Sequence, residues 1–355
     1  MGVVKSPEAE TELGCDFGKV VLYLTVIAGS ILLLSLYAFA GYTQVAPAIV
    51  SQNPFGPIYP NNDHRWYRDY GGRFVPEIQD QELFYHNVGP SVSEAKKADI
   101  VILGPSFVSY AFDRDVLRKF GDDHRLRLYN MSFIGIRGGE FSLGVIEQWK
   151  IRPKLWIINV DDQIIHFFSR GMDLTLGPKT VVIPATNHGR LQGFVNVAGQ
   201  NLRWRLEDWI AGYANPGIPR NVANGNVNLD GNPRYRAPDN KSIVFDTGRV
   251  CHASKEQIEI GRNFIQKIGG QVVFTLVPHS QACVQQAREL AAALGVELIV
   301  PPFDNFSSVD GGGHLDKKGA TKFSDYFFGE LEKSQTFKRI SDSAPRASAA
   351  GSPGR

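Results

Sequence analysis

Five short apolar runs rich in β-branched residues alternate with segments of helical period, and that alternation leaves few folds open. The runs are ADIVILG (98–104), LRLYNMS (126–132), KLWIINV (154–160), QVVFTLV (271–277) and VELIVPP (296–302). A continuous apolar run of this length, bounded by turn residues, reads as a strand buried on both faces. Helices are expected at about 107–120, 138–150, 254–268, 281–294 and 316–333, between and after the strands. Strands that alternate with helices build a parallel sheet with crossovers. The expected fold is therefore α/β, a doubly wound five-stranded parallel sheet.

A second constraint lies upstream. Val20 to Ala40 is a run of 21 residues without a charge, which at 1.5 Å per residue matches a hydrocarbon thickness of about 30 Å. A cleaved signal peptide would carry a shorter apolar region behind a clearly basic leader. Here Lys5 and Lys19 are mixed with Glu8, Glu10, Glu12 and Asp16, so an uncleaved signal anchor is favoured. Lys5 and Lys19 precede the run and the next basic residue after it is Arg65. The basic bias predicts a cytoplasmic N-terminus and a C-terminal domain on the extracytoplasmic side of the membrane, with one span in the bilayer.

The resulting division is a cytoplasmic tail at 1–19, the anchor at 20–40, a Pro- and aromatic-rich stalk at 41–96 that packs on the domain, and the α/β domain at 97–334. An insertion at about 165–250, with one amphipathic helix near 194–212, reads as a cap over the strand ends, since loops this long usually have a function. The Ser/Ala/Pro/Gly-rich end, 335–355, reads as disordered. Lys plus Arg number 38 against 36 Asp plus Glu, a balance that gives no electrostatic footprint for nucleic acid. Three cysteines exclude a disulfide framework, although Cys251 and Cys283 can pair if the domain is extracytoplasmic.

In a doubly wound sheet, ligands bind beyond the carboxyl ends of the strands, so the residues that end the strands carry the chemistry. Ser106 follows the first strand in Gly104-Pro105-Ser106. It reads either as an exposed nucleophile or as a helix N-cap. Asn130 ends the second strand, and Gly135 beyond it can bring a backbone N–H to an oxyanion. Asp161 and Asp162 follow the third strand with no evident structural duty. After the last strand comes Asp310-Gly311-Gly312-Gly313-His314-Leu315, a histidine on a glycine-rich loop with an acid close enough to orient its ring. His279, after the fourth strand, either lines the same cleft or caps the next helix. No HExxH, CxxC or EF-hand spacing occurs, so no metal and no cofactor are expected.

Taken together, the blocks around Ser106, Asn130–Gly135 and His314-Leu315 with Gly319-Ala320 and Phe323 resemble the SGNH (GDSL-like) hydrolase family, over about 98–135, 153–162 and 271–328. The last block is the most specific. The chain departs from the family pattern at Pro105, where Asp is usual, in the spacing of Asp310 four residues before His314 rather than three, and in lacking Gly-x-Asn-Asp in the third block. The resemblance implies an SGNH/flavodoxin-like sheet, Ser106 as nucleophile, His314 as base, Asp310 as the orienting acid, and the N–H groups of Ser106 and Gly135 as oxyanion donors. With a single anchor in front, the whole is similar to membrane-anchored SGNH-like proteins that O-acetylate bacterial exopolysaccharides.

Two functions follow as expectations. One is an esterase or O-acyltransferase whose partners are an acylated polysaccharide or acyl donor and, within the membrane, an acyltransferase or export complex. The other is a non-catalytic SGNH-like binding or assembly subunit of such a complex. The irregular first and third blocks favour the second, and the presence of both Ser106 and His314 favours the first.

Overall fold

The computed structural model describes residues 21–22, 25–32, 66–70, 84, 90–133, 139–160, 218–228, 242–243, 250–301, 305–309 and 312–342. The chain divides into two units, 1–53 and 54–355. In the first, residues 21–22 and 25–32 are helical, and Leu22, Val26, Ile27, Ile31 and Leu32 are exposed. Among the described residues no helix is long and apolar enough to cross a membrane. Most of the apolar 20–40 run lies outside them.

The second unit is built on a parallel sheet of five strands: β2 (Ile100–Leu103), β3 (Leu128–Asn130), β4 (Leu155–Asn159), β7 (Gln271–Thr275) and β8 (Glu297–Ile299). Their order is β3-β2-β4-β7-β8, and every neighbouring pair is parallel. All five expected strands are present. The first strand pairs with both the second and the third, so the winding reverses between β2 and β4. That reversal is where a doubly wound sheet opens a crevice at its carboxyl edge.

Alternation along the strands divides the core. Val101, Leu103, Trp156, Ile158 and Phe274 point into one layer, against α1 (Ser91–Lys96), α4 (Gly139–Trp149), α5 (Lys255–Ile268) and α6 (Val284–Leu294). Ile100, Ile102, Leu155, Ile157 and Val273 point into the other, against α2 (Ser106–Ala111), α3 (Arg114–His124), α7 (Lys317–Lys333) and α8 (Gln335–Asp342). Helices cover both faces, so each strand is buried on both sides and needs no polar face. The stalk contributes Phe84, Val92 and Ala95 to the first layer, and the Trp149 indole N–H donates to the Phe84 carbonyl at 2.8 Å.

Two features differ from expectation. The single helix expected at 107–120 is two, α2 and α3, because Asp113 accepts from the N–H groups of Asp115 and Val116 and caps a new helix. The tail expected to be disordered from 335 continues as α8, because Phe337 and Ile340 bury their side chains in the second core layer. Residues 343–355 lie outside the described residues.

The inserted region supplies further strands. β5 (Ile218–Asn221) pairs antiparallel with β1 (Trp66–Tyr70). β6 (Ser242–Ile243) pairs with β9 (Phe306–Val309), and β9 pairs with β10 (His314–Leu315). The helix expected near 194–212 lies outside the described residues.

Candidate active site

Ser106 opens α2 at the carboxyl end of β2. The turn is tight: a methyl group on Gly104 would overlap the Val108 side chain and press on Asn159 Cβ at 3.3 Å, so only glycine lets the helix fold back this closely. The N-cap is Pro105, with no side-chain hydrogen bond at the cap. The Ser106 hydroxyl therefore does not cap its helix. Its Oγ lies 2.9 Å from Nε2 of His314, a hydrogen bond between residues 208 apart in sequence.

His314 sits in β10, not on a free loop. It stands opposite Val309, and Leu315 stands opposite Ser308. The turn between the strands includes Gly312 at φ +101°, whose carbonyl accepts from the Ser280 N–H at 3.1 Å. This bond ties the histidine turn to the loop after β7. Asp316, two residues on, is buried and accepts from Gly319 N–H at 2.7 Å and from the Ser307 hydroxyl at 2.5 Å, so it serves as the N-cap of α7. Asp310, the expected orienting acid, lies outside the described residues, as do Gly135, Asp161 and Asp162.

Aromatic rings frame the imidazole. Phe107 lies 4.9 Å from the His314 ring centroid and Tyr110 lies 4.4 Å from it. Tyr110 is four residues after Ser106, hence on the same face of α2, a signal the sequence carried and our reading passed over. His279 stacks on Phe107 at 4.4 Å and 7°, and its Nδ1 accepts from the Gln281 N–H at 3.2 Å. It is buried beside the dyad, and the N-cap of α6 is Cys283 instead. An Nδ1 that accepts places the proton of a neutral ring on Nε2.

Asn130 belongs to a sealed network. Its Oδ1 accepts from the N–H of Ser132 at 3.0 Å and from the Ser132 hydroxyl at 2.6 Å. That hydroxyl has one proton, so at the 2.7 Å contact with Ser109 the donor is Ser109. Arg220, fully buried, donates to the carbonyls of Asn130, Gly225 and Ser132 at 3.1, 2.7 and 2.6 Å. Gly225, at φ +69°, packs where a side chain would strike the Asn130 carbonyl. Asn130 thus shapes the turn from Asn130 to Ser132, and the inserted region supplies the cation that holds it. Nothing in the local sequence marks Arg220 as buried. Asn159 also bonds inward, its Oδ1 accepting from the Val277 N–H at 2.7 Å.

Beyond the dyad, Lys317 at the start of α7 pairs with Asp113 at 2.7 Å. Burial pushes the Asp113 carboxyl up, but the Lys317 ammonium and the N–H groups of Asp115 and Val116 outweigh it and hold it below its ordinary value.

Among the described residues no cluster of His, Cys, Asp and Glu is arranged to hold a metal. Compared with protein families, curated proteins and solved structures, the chain shows no match. Its chemistry is read from its own geometry.

Proposed function

We propose that this chain is a serine-dependent acyl-transfer enzyme of the SGNH type. Its particular task, in our reading, is that of a membrane-anchored esterase or O-acyltransferase acting on acyl esters, acetyl first among them, of an exported or cell-surface polysaccharide. The observation that carries the reading is the 2.9 Å contact of Ser106 Oγ with His314 Nε2 at the switch point of the sheet.

The steps follow from that pair. Ser106 Oγ attacks the ester carbonyl carbon while His314 Nε2 takes the hydroxyl proton. The tetrahedral oxyanion is held by the backbone N–H groups of Ser106 and Gly135. It collapses to an acyl-serine, and His314 returns the proton to the departing alcohol. Water or a sugar hydroxyl then gives its proton to His314 and attacks the acyl carbon, and His314 returns that proton to Ser106 Oγ as the acyl–oxygen bond breaks. Transfer in place of hydrolysis requires that the sugar be better placed than water, the task we give to the inserted region.

Two features support the setting. Cys251 and Cys283 form a disulfide, which persists in oxidising compartments. The exposed apolar side chains of Val21, Leu22, Val26, Ile27, Ile31 and Leu32 suit a lipid environment.

The test is covalent labelling of the purified chain with a fluorophosphonate, alongside hydrolysis of a chromogenic acetyl ester. Labelling and turnover that both vanish in Ser106→Ala are expected. A wild-type protein that neither labels nor turns over would leave the assembly-subunit alternative standing.

A further inference from the structure

We infer that the Asp113–Lys317 ion pair is the device that holds serine and imidazole in register, which makes Lys317 a positioning residue of the site; this rests on the acyl-transfer reading above. Ser106 begins α2 and Asp113 follows its end. His314 stands three residues before Lys317, which begins α7. The two reacting side chains and the two charges are therefore opposite corners of the same short frame. At one corner Oγ and Nε2 are 2.9 Å apart, and at the other Lys317 Nζ and Asp113 Oδ2 are 2.7 Å apart.

The frame is braced on both sides. Asp113 N–H donates to Ser324 Oγ at 2.8 Å, and the Ser324 hydroxyl donates to the Ala111 carbonyl at 3.1 Å. Thr321 Oγ1 lies 3.0 Å from Asp113 Oδ2. The end of α2 and the cap of α3 are thus fastened to one face of α7, the helix that His314 leads into. Within this frame Lys317 is a misfit to its own helix. A cation at the first position of a helix opposes the macrodipole, so helix propensity gives no reason for it. Asp113 does: its carboxylate is 2 % exposed and needs a partner charge, whereas Lys317 is 45 % exposed. Asp115, 3.7 Å from the same ammonium, faces it from the exposed side.

Removing the ammonium leaves Asp113 with two backbone N–H donors and Thr321. The fold survives, and the lateral restraint between α2 and the histidine turn is lost. Small misplacements of reacting groups lower rates steeply.

The experiment uses the full chain in detergent, selectively ¹⁵N-labelled at histidine. Lys317→Met should lower the fluorophosphonate labelling rate and the kcat for an acetyl ester by about tenfold or more. KM should stay near wild type, the melting temperature should fall without loss of the folded state, and the His314 Nε2 resonance should shift toward its position in Ser106→Ala. Lys317→Arg should restore both rate and resonance. A Lys317→Met protein with wild-type rate and resonance overturns the inference, and so does a loss that arginine does not restore. If wild type fails to label while the resonance still responds to Lys317→Met, the positioning role stands and the acyl-transfer reading falls.

Discussion

A serine at a strand-to-helix turn is most often a cap, and its hydrogen-bond partner tells whether it is one. At Ser106 the capping position belongs to Pro105 and the hydroxyl meets His314. Ser106→Ala and His314→Gln should each lower ester turnover on the order of 10³-fold or more, and the double variant should be no worse than either, because the pair acts as a unit. Steady-state kinetics on the three proteins checks this. Gly104→Ala introduces overlap with Val108 and should lower stability by about 1–3 kcal/mol, with slower labelling of Ser106. Gly329, inside α7, has open space around an added methyl, so Gly329→Ala should raise stability by about 0.5–1 kcal/mol. Urea titrations of both variants separate the two signs. Ser106 and His314 were legible because strand-end chemistry follows from the order of strands. Arg220 was not, since a buried guanidinium is defined by three carbonyls distant in sequence.

Helices and strands were legible in proportion to how far their signal is local. The five parallel strands are continuous apolar runs because both faces are covered. β9 and β10 were missed: Phe306-Ser307-Ser308-Val309 is short and half polar, and its partners β6 and β10 lie far off or across a glycine turn. The α2–α3 break falls at Asp113-Arg114-Asp115, a charged triplet that a continuous helix would also accommodate on its exposed face. α8 was hidden by the polar composition of the segment around it, and what secures it is tertiary. Glu297 accepts from the N–H groups of Gln335 and Thr336, both at 2.9 Å. Burial raises the Glu297 pKa, but bonds to Thr336 and Gln335 outweigh it, and the carboxyl titrates below its ordinary value of about 4.5. A depressed carboxyl contributes stability above the unfolded value and loses it as pH falls through the folded one. Glu297→Gln should therefore melt below wild type at pH 7, and the gap should close as pH drops below about 4.5. Thermal melts at pH 7 and pH 3 are the check.

Over the whole molecule, long separations in sequence converge on one edge of the sheet. The Cys251–Cys283 disulfide spans 32 residues and joins the entries to α5 and α6. Closing a loop of this length stabilises by roughly 3–4 kcal/mol in the chain-entropy account, so a reductant should lower the melting temperature, and Cys251→Ser should melt at the reduced value with or without it. The inserted region proved harder to read than the sheet because its described strands pair with β1 and β9, segments far away along the chain. The 208-residue separation of the dyad has a consequence in time. At about 5–20 residues per second of synthesis, His314 emerges roughly 10–40 s after Ser106. Until then the nascent chain carries Ser106 without the imidazole that its hydroxyl meets in the folded protein. On the acyl-transfer reading proposed above, a product truncated before His314 would carry a nucleophile with no base.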